Sequence, residues 1–519
     1  MMLRELLKDC VDLGIRDESF LNKEIKGVAY DSRNVGKDCL FVAVKGERQN
    51  GHDYIGEAVK SGAVSVVYEL NNSCGERFAR SDDANEFRSR AALIGVQNSR
   101  KALACIANNY FRRPSEQLIL IGVTGTNGKT TTTCILKSIL ESFGKTVGLV
   151  GTIHHMIKNR EFPAFHTTPE ALEFQKLLND MLIAGCTHVI SEVSSHALAQ
   201  YRVDHSVFRV AGFTNLTRDH LDFHKTVERY FQAKERLFRE LLSEGGIAVL
   251  NIDDHFGRGL NAELEKDRMR KKVTYGLGPD ADITARDIRS SFQGLNFTIV
   301  YGNETHHVRS KLSGITNVYN ILAAAGLAVS LDIPWQSISK GIELTETVRG
   351  RFEKVDLGQK FLCVVDYAHT EDALERLITT ARELSATERA GTSLPRSRIV
   401  TVFGCGGDRD RGKRPKMGEI ATRLSDLVII TSDNPRSEEP ADIIRDIEKG
   451  AVGKNYLVEP DRREAIRRAL DMAEDEDIVL VAGKGHEEYQ EIKGVRYQFS
   501  DRTVIEEIIR ENLMKRKTS

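Results

Sequence analysis

The stretch Leu118-Ile-Leu-Ile-Gly-Val-Thr-Gly-Thr-Asn-Gly-Lys-Thr-Thr-Thr-Thr-Cys-Ile-Leu-Lys-Ser-Ile-Leu140 decides how this chain is read. An apolar run with the look of a buried strand ends in a glycine-rich turn, and an amphipathic helical pattern starts at once. Gly125 and Gly128 let the backbone of Thr126 and Asn127 wrap closely around an anion, with amide groups pointing inward at a helix N-terminus. Lys129 supplies a point charge for terminal phosphates, and the hydroxyl of Thr130 or Thr131 suits Mg2+. The strict spacing of such a loop puts glycine where Val123 stands, so this is a variant. The bland alternative is a tight strand-to-helix turn with a surface lysine. Glycine, lysine and a run of hydroxyls in register favour the phosphate loop, and the expected ligand is a nucleoside triphosphate.

At 519 residues the chain is too long for one core and divides into domains of ordinary size. We place them at 1–113, 114–347 and 348–519. Lys+Arg 74 against Asp+Glu 75 leaves no net field, so wholesale attraction to nucleic acid or membrane is not expected and anion recognition must be local. The eight cysteines, Cys74 among them, are scattered without a C-x-x-C pair, which fits reduced thiols better than a disulfide frame or a zinc site. Charges throughout Met1–Asp9 suggest a surface helix rather than a signal peptide, and no apolar run reaches membrane-spanning length. The expectation is a soluble, cytoplasmic monomer.

Strand-like runs recur before helical patterns along the whole chain, which predicts α/β architecture with mainly parallel sheets. The first unit holds Cys39–Val44 and Ala63–Tyr68, with a polar surface loop from Asn71 to Arg88. The second holds Lys145–Val150, Thr187–Ser191 and Ile247–Asn251, then short alternating strands between about Val273 and Val308 that suggest an antiparallel extension. The third, a doubly wound unit without a lysine-bearing phosphate loop, holds Phe361–Asp366, Ile399–Phe403, Asp426–Thr431 and Asp477–Ala482. Ala386–Arg398 is expected as an exposed loop.

Four polar clusters follow predicted strands, at the carboxyl edge where such sheets bind ligands. In Ser191–His196, Glu192 would emerge near the phosphate loop, as a Mg2+ ligand or a surface glutamate. In Thr214–Asp222, His220 is a metal ligand or, read alone, a solvated loop histidine. Asp366–Thr370 ends a strand in an acid suited to a ribose or a base-side water. Phe403–Pro415 joins glycines to four basic side chains, as an anion clamp or a flexible turn.

Together these clusters resemble the Mur ligase family. Thr124–Thr132, Glu192–His196 and Thr214–Asp222 are similar to its central domain. The resemblance continues through Gly314–Ala324, Arg349–Glu353, Asp366–Thr370, Phe403–Pro415, Ser432–Pro440 and Ala482–Gln490. Asp31–Ile55 resembles the uridine-nucleotide domain of the member that adds the third peptide residue. The resemblance spans essentially the whole chain.

It implies an ATP-dependent amide ligase that adds meso-diaminopimelate to the D-glutamyl γ-carboxylate of UDP-N-acetylmuramoyl-L-Ala-D-Glu, with Mg2+, through an acyl phosphate. L-lysine as the added amino acid, or another amide ligation within the family, stays open. It further implies Lys129 at the β/γ-phosphates, and Thr130, Glu192 and His220 on metal. Lys234, otherwise a helix-surface lysine, is implied to be carbamylated and to support that metal. Asn317 and Asn320 are implied beside adenine, and Arg351 and Asp366 on ATP from across a domain junction. Thr167, Thr168, Ser194, Gln200 and Arg202 are implied at the muramoyl dipeptide, and Tyr30 and Ser32 at the uridine nucleotide. Arg414, Asp433, Asn434, Pro435, Arg436, Gly483 and Glu487 are implied at the amino acid. There Pro435 would aim Arg436 into the cleft, where a guanidinium forms paired hydrogen bonds to a carboxylate that lysine's side chain lacks. His166, Glu371 and Glu47-Arg48-Gln49 depart from the family pattern.

Overall fold

The computed structural model describes residues 1–10, 14–15, 18–46, 49–70, 73, 90–266, 271–389 and 396–518. Glu47, Arg48, Cys74 and most of the Asn71–Arg88 stretch lie outside the described residues.

Three large sheets form in succession among the described residues, with strand orders that require crossover connections, and a two-stranded hairpin, Tyr489–Ile492 with Val495–Gln498, follows them. The first runs Gly14–Ile15, Ala92–Val96, Ala63–Glu69, Cys39–Val42, Gly27–Ala29, parallel except for its first pair. Met1–Asp9 does not lie on the surface as a helix. It folds as one turn, Leu3–Leu6, whose leucines are buried in the core under this sheet. The charges in that stretch hid an amphipathic pattern too short to register. Cys10 and Cys105 are joined in a disulfide 95 residues apart in sequence, where free thiols were expected. Only the fold brings them together, so spacing carried no signal. Cys39, Cys134, Cys186, Cys363 and Cys405 are free.

The central sheet has eleven strands. Its parallel heart is Lys271–Tyr275, Leu242–Asn251, Phe208–Phe213, Ile119–Thr124, His188–Glu192 and Val147–Val150. The hairpin His154–Ile157/Arg160–Pro163 extends one edge, and the strands Ile283–Ser291, Gly294–Tyr301 and Glu304–Ser310 form the expected antiparallel extension at the other. Strand Ile119–Thr124 is covered on both faces and buried over five of its six residues, which is why it reads as a continuous apolar run. The following helix, Lys129–Ser142, buries Ile135, Leu136, Ile139 and Leu140 completely. Burial at roughly 1.5–3 kcal/mol per such side chain fixes the helix against the sheet. Helix Trp335–Leu344 crosses it so closely that a Cβ on Gly341 would lie 2.3 Å from the Ile139 Cα.

In that sheet the chain builds Val147–Val150 and His188–Glu192 on one side of Ile119–Thr124, then crosses to Phe208–Phe213 on the other. The crevice this switch opens lies at the carboxyl end of Ile119–Thr124, where the phosphate loop begins. The last six-stranded sheet repeats the device, in the order Glu353–Val355, Leu362–Asp366, Ile478–Ala482, Ile399–Phe403, Leu427–Ile430, Tyr456–Val458. All its neighbours are parallel except the first pair. Helix Glu371–Arg389 occupies the start of the stretch expected as loop, whose residues 390–395 lie outside the described set. Its buried Leu377, Ile378, Ala381, Leu384 and Ser385 anchor the helix just before that stretch, and Ala386, Thr387 and Glu388 extend it on the exposed side. No helix among the described residues is long and apolar enough to cross a membrane.

Candidate active site

The loop between strand Ile119–Thr124 and helix Lys129–Ser142 takes its shape from two glycines and a second loop beneath it. Gly125 and Gly128 have φ of 148° and 88°, and a Cβ on Gly125 would sit 1.9 Å from Thr214 Oγ1. The Thr126 amide donates to Asn215 O at 2.8 Å, and the Asn127 amide to Asn215 Oδ1 at 3.0 Å. Thr214 Oγ1 returns a bond to Asn127 O at 2.6 Å. The Thr214–Asp222 cluster is therefore the floor that holds the phosphate loop open. No side chain caps the helix at Gly128, so its first amides face the crevice beside buried Thr130 and Thr131.

Lys129 Nζ folds back onto Gly125 O and Thr126 O, 2.9 Å from each. Burial lowers its pKa against the opposing charge of Glu192, with Arg351 lowering it further. Lys234, at 1% exposure, is no surface residue. Its Nζ donates to the same Gly125 O at 2.7 Å, and burial, then the Lys129 charge, drive its pKa well below the ordinary lysine value.

Glu192 emerges at the end of its strand, 1% exposed. It accepts from Thr130 Oγ1 at 2.9 Å, from the Thr152 amide at 2.9 Å and from Thr152 Oγ1 at 2.8 Å. Thr152, absent from the sequence reading, follows strand Val147–Val150 at the same sheet edge, a position that was the only available signal. His220 sits in the left-handed region at φ 55°, its ring edge-on to His196 at 4.7 Å and beside Asp219 at 3.3 Å. Burial lowers the His220 pKa against the Asp219 charge, so a neutral imidazole faces the cleft. Among the described residues no three His, Cys, Asp or Glu side chains converge on one point. Of the expected metal set Thr130, Glu192, His220 and Lys234, the Thr130 and Glu192 oxygens lie 2.9 Å apart, while His220 sits beside Asp219 and Lys234 on Gly125 O.

Asn317 and Asn320 lie on helix Ile315–Val329, where Asn320 Nδ2 donates to Asn317 Oδ1 at 2.9 Å. Asn320 also abuts the phosphate loop: a Cβ on Gly128 would be 2.3 Å from its Oδ1. Thr168 Oγ1 donates to Glu192 O at 2.8 Å and accepts from the Ser194 amide at 3.0 Å, while Thr167 Oγ1 meets Thr152 Oγ1 at 3.1 Å. Arg202 donates to Gln200 Oε1 at 2.7 Å and to Thr168 O at 3.0 Å. These five residues form one polar wall leading away from Glu192. Beyond it Glu170 pairs with Arg202 at 2.9 Å and with Arg100 of the first unit at 3.2 Å. Tyr30 bonds Glu173 across the same junction at 3.1 Å, and Ser32 bonds Glu57 at 3.4 Å.

The last sheet meets the phosphate loop directly. Arg351, stacked 4.7 Å over Tyr367, reaches Thr130 Oγ1 at 3.5 Å, and Asn127 Nδ2 donates to Asp372 at 3.1 Å. Asp366 accepts from the Phe352 amide at 2.6 Å, and burial raises its pKa against Arg351.

Behind this junction the strand ends carry a second cluster. Asn434 Nδ2 donates to Glu487 Oε2 at 2.8 Å, and Gly483, at φ 116°, faces the Asp433 carboxylate. Pro435 O presses on Gly407, where a Cβ would be 1.9 Å away. One expected position differs. Arg414 is fully buried, held by Glu438 at 2.9 Å and Asp446 at 3.1 Å, so its guanidinium braces the glycine loop instead of lining the cleft. Arg436 is half-buried, its Nη1 on Gly407 O at 2.7 Å. Buried Lys484, unremarked in the sequence, joins the cluster.

Residues 123–328 match the Mur ligase middle domain, 350–485 the Mur ligase glutamate ligase domain, and 24–111 a domain described as Mur ligase family, catalytic domain. The chain is 45% identical over 493 residues to the UDP-N-acetylmuramoyl-L-alanyl-D-glutamate–2,6-diaminopimelate ligase of Solibacter usitatus, covering 94% of each chain. It is 41% identical to the protein of that name from Aquifex aeolicus, covering 95% of each. A solved structure of a ligase with the same name superposes with TM-score 0.65 at 31% identity, over 99% of both chains. The ADP complex of the MurF ligase of Thermotoga maritima shares the fold, with TM-score 0.59 at 21% identity over 94% of this chain and 98% of that one. With sequence, fold and the two facing clusters in agreement, the chain belongs to the Mur ligase family.

Proposed function

We propose that this protein is an ATP-dependent amide ligase that joins meso-diaminopimelate to the γ-carboxylate of UDP-N-acetylmuramoyl-L-Ala-D-Glu, a step of peptidoglycan precursor synthesis. It is the activity for which its relatives are named. The observation that carries it is the Arg351–Thr130 contact, which sets the phosphate loop and the strand-end cluster of the last sheet around one cleft.

A carboxylate has no leaving group. ATP supplies one by phosphorylating it, and the amine then displaces phosphate from the acyl phosphate. Such transfer is catalysed by positioning and charge stabilisation. The loop amides and Lys129 hold the β- and γ-phosphates, and Arg351 adds charge from the opposite side. Thr130 and Glu192, 2.9 Å apart, are oxygen donors of the kind Mg2+ takes. His220, neutral in its cleft, adds a nitrogen. Lys234 would bring negative charge beside a cation only as a carbamate, since its ammonium form would repel one and its neutral amine carries no charge. Bound there, Mg2+ would neutralise charge on the transferring phosphoryl group. Asn317 and Asn320 flank the nucleotide, with Asp366 on the far side of the junction. The wall of Thr167, Thr168, Ser194, Gln200 and Arg202 orients the dipeptide toward Glu192, with Tyr30 and Ser32 at its uridine end. Asp433, Asn434, Gly483 and Glu487 hold the incoming amino acid, while Arg414 and Pro435 fix the loops around Arg436. Closure of the junction keeps water from the acyl phosphate.

The test is phosphate release from ATP with UDP-muramoyl-dipeptide, with and without each candidate amino acid. Release that depends on both the dipeptide and diaminopimelate is expected. A wild-type preference for L-lysine, or release independent of the dipeptide, would overturn the assignment.

A further inference from the structure

Lys484 is the one lysine in the second cluster with no exposed surface at all. Its burial is built into the chain. Strand Ile478–Ala482 ends in Gly483-Lys484-Gly485, and both glycines have positive φ, 116° and 53°. A Cβ on Gly485 would lie 2.7 Å from Tyr367 Cβ. The turn is thus pressed against the Asp366–Tyr367 strand end, and it directs Lys484 inward. There Nζ donates to Asn434 Oδ1 at 3.0 Å, to Glu487 Oε2 at 3.2 Å and to Asp433 Oδ1 at 3.5 Å. Asn434 Nδ2 completes the ring on the same Glu487 oxygen at 2.8 Å. Three groups assigned above to the amino acid therefore share one buried cation.

We propose that Lys484 is a positioning residue for the amino-acid substrate: it keeps Glu487 ionised and aimed so that one carboxylate oxygen stays available to the substrate's ammonium group. The inference rests on the reading of this cluster as the amino-acid site. Two carboxylates buried side by side disfavour each other's ionised form unless a cation lies between them. Groups facing Glu487 are Lys484, Asp433 and Asn434, with Arg462, Tyr367 and Tyr489 around them. Burial and Asp433 raise the Glu487 pKa, and Lys484 is the charge that lowers it. Without Lys484 the carboxylate takes up a proton at higher pH and loses its attraction for an ammonium.

The experiment uses full-length enzyme with saturating ATP and UDP-muramoyl-dipeptide, varying diaminopimelate between about pH 6 and 9. Wild type, Lys484→Met, Glu487→Gln and the double variant are compared. Lys484→Met is expected to raise the KM for diaminopimelate by about tenfold or more, with kcat and the KM for ATP within about threefold. The acidic limb of kcat/KM should move to higher pH. If Lys484 acts through Glu487, the double variant matches Glu487→Gln within about twofold. A further loss in the double variant, or an unmoved acidic limb, would overturn the inference. Should Lys484→Met not fold, the comparison of Glu487→Gln with the double variant decides alone, since there the cation leaves with one of its carboxylates. Wild-type enzyme inactive with diaminopimelate would instead remove the reading on which the inference rests.

Discussion

Lys234 and Lys129 meet on a single acceptor: both ammonium nitrogens lie on the Gly125 carbonyl, at 2.7 and 2.9 Å. Two cations on one oxygen repel, and Lys234, the more deeply buried, is held well below the ordinary lysine value, with Asp219 opposing. The neutral amine that results is the form that adds to CO2, forming an N–C bond and releasing a proton. A carbamate there replaces a repulsive cation with an anion.

Native mass measurement of active enzyme should therefore show one CO2 added at Lys234, lost on acidification. Lys234→Ala should lower turnover about 100-fold, with partial recovery on adding a small carboxylic acid. An unmodified amine in fully active enzyme would refute this. For CO2-free protein the sign is also fixed. The unfolded lysine titrates near 10.5 and the folded one lower, so the unfolded chain binds the extra proton and stability rises with pH between the two values.

Gly128→Ala tests the shape of the phosphate loop. Its φ of 88° lies where a side chain is strained, and the new Cβ would stand 2.3 Å from Asn320 Oδ1. Strain of roughly 1–2 kcal/mol, plus displacement of Asn320, should fall on nucleotide binding more than on the fold. Calorimetry should show ATP affinity reduced by about tenfold or more, with melting nearly unchanged. Wild-type affinity would contradict the geometry.

The phosphate loop, the parallel sheets and most strand-end clusters were legible because they are local: an apolar run, a turn and a helix lie together in sequence. Glu192 could be placed near Thr130 for the same reason, since both follow neighbouring parallel strands. What stayed hidden depends on contacts distant in sequence. Lys234 reads as a helix-surface lysine until its helix packs under Gly125. Arg414 reads as a cleft residue until Glu438 and Asp446 close on it. Thr152 and Lys484 carry no pattern beyond standing after a strand, and Cys10 finds Cys105 only when the first sheet forms.

Lys129→Ala should leave the fold intact, because its Nζ bonds only the loop carbonyls of Gly125 and Thr126. No other lysine in the loop can replace its charge on the phosphates, and Lys234 is held as a neutral amine or carbamate. Loss of one such stabilising group lowers turnover roughly 100- to 1000-fold. Retention of a tenth of wild-type turnover at saturating ATP would show that Lys129 does not contact the transferring phosphoryl group.

Arg436 is expected to govern the choice between diaminopimelate and lysine. Its backbone is pinned on both sides: the amide donates to Glu491 O at 3.0 Å, and its carbonyl accepts from Lys493 at 2.6 Å. The side chain is held at one corner, Nη1 on Gly407 O at 2.7 Å. If Arg436 reads the substrate, the remaining edge of its guanidinium pairs with the distal carboxylate of diaminopimelate, which lysine lacks. Because Arg436 is half-buried, water satisfies part of it when lysine binds, which moderates the penalty of a missing partner. A charged hydrogen bond is worth about 1.5–3 kcal/mol, or roughly 10- to 150-fold in specificity. Arg436→Ala should lower kcat/KM for diaminopimelate by about that factor while changing lysine by less than about threefold. Equal losses for the two amino acids would mean that Arg436 braces the Gly407 loop and does not read the substrate.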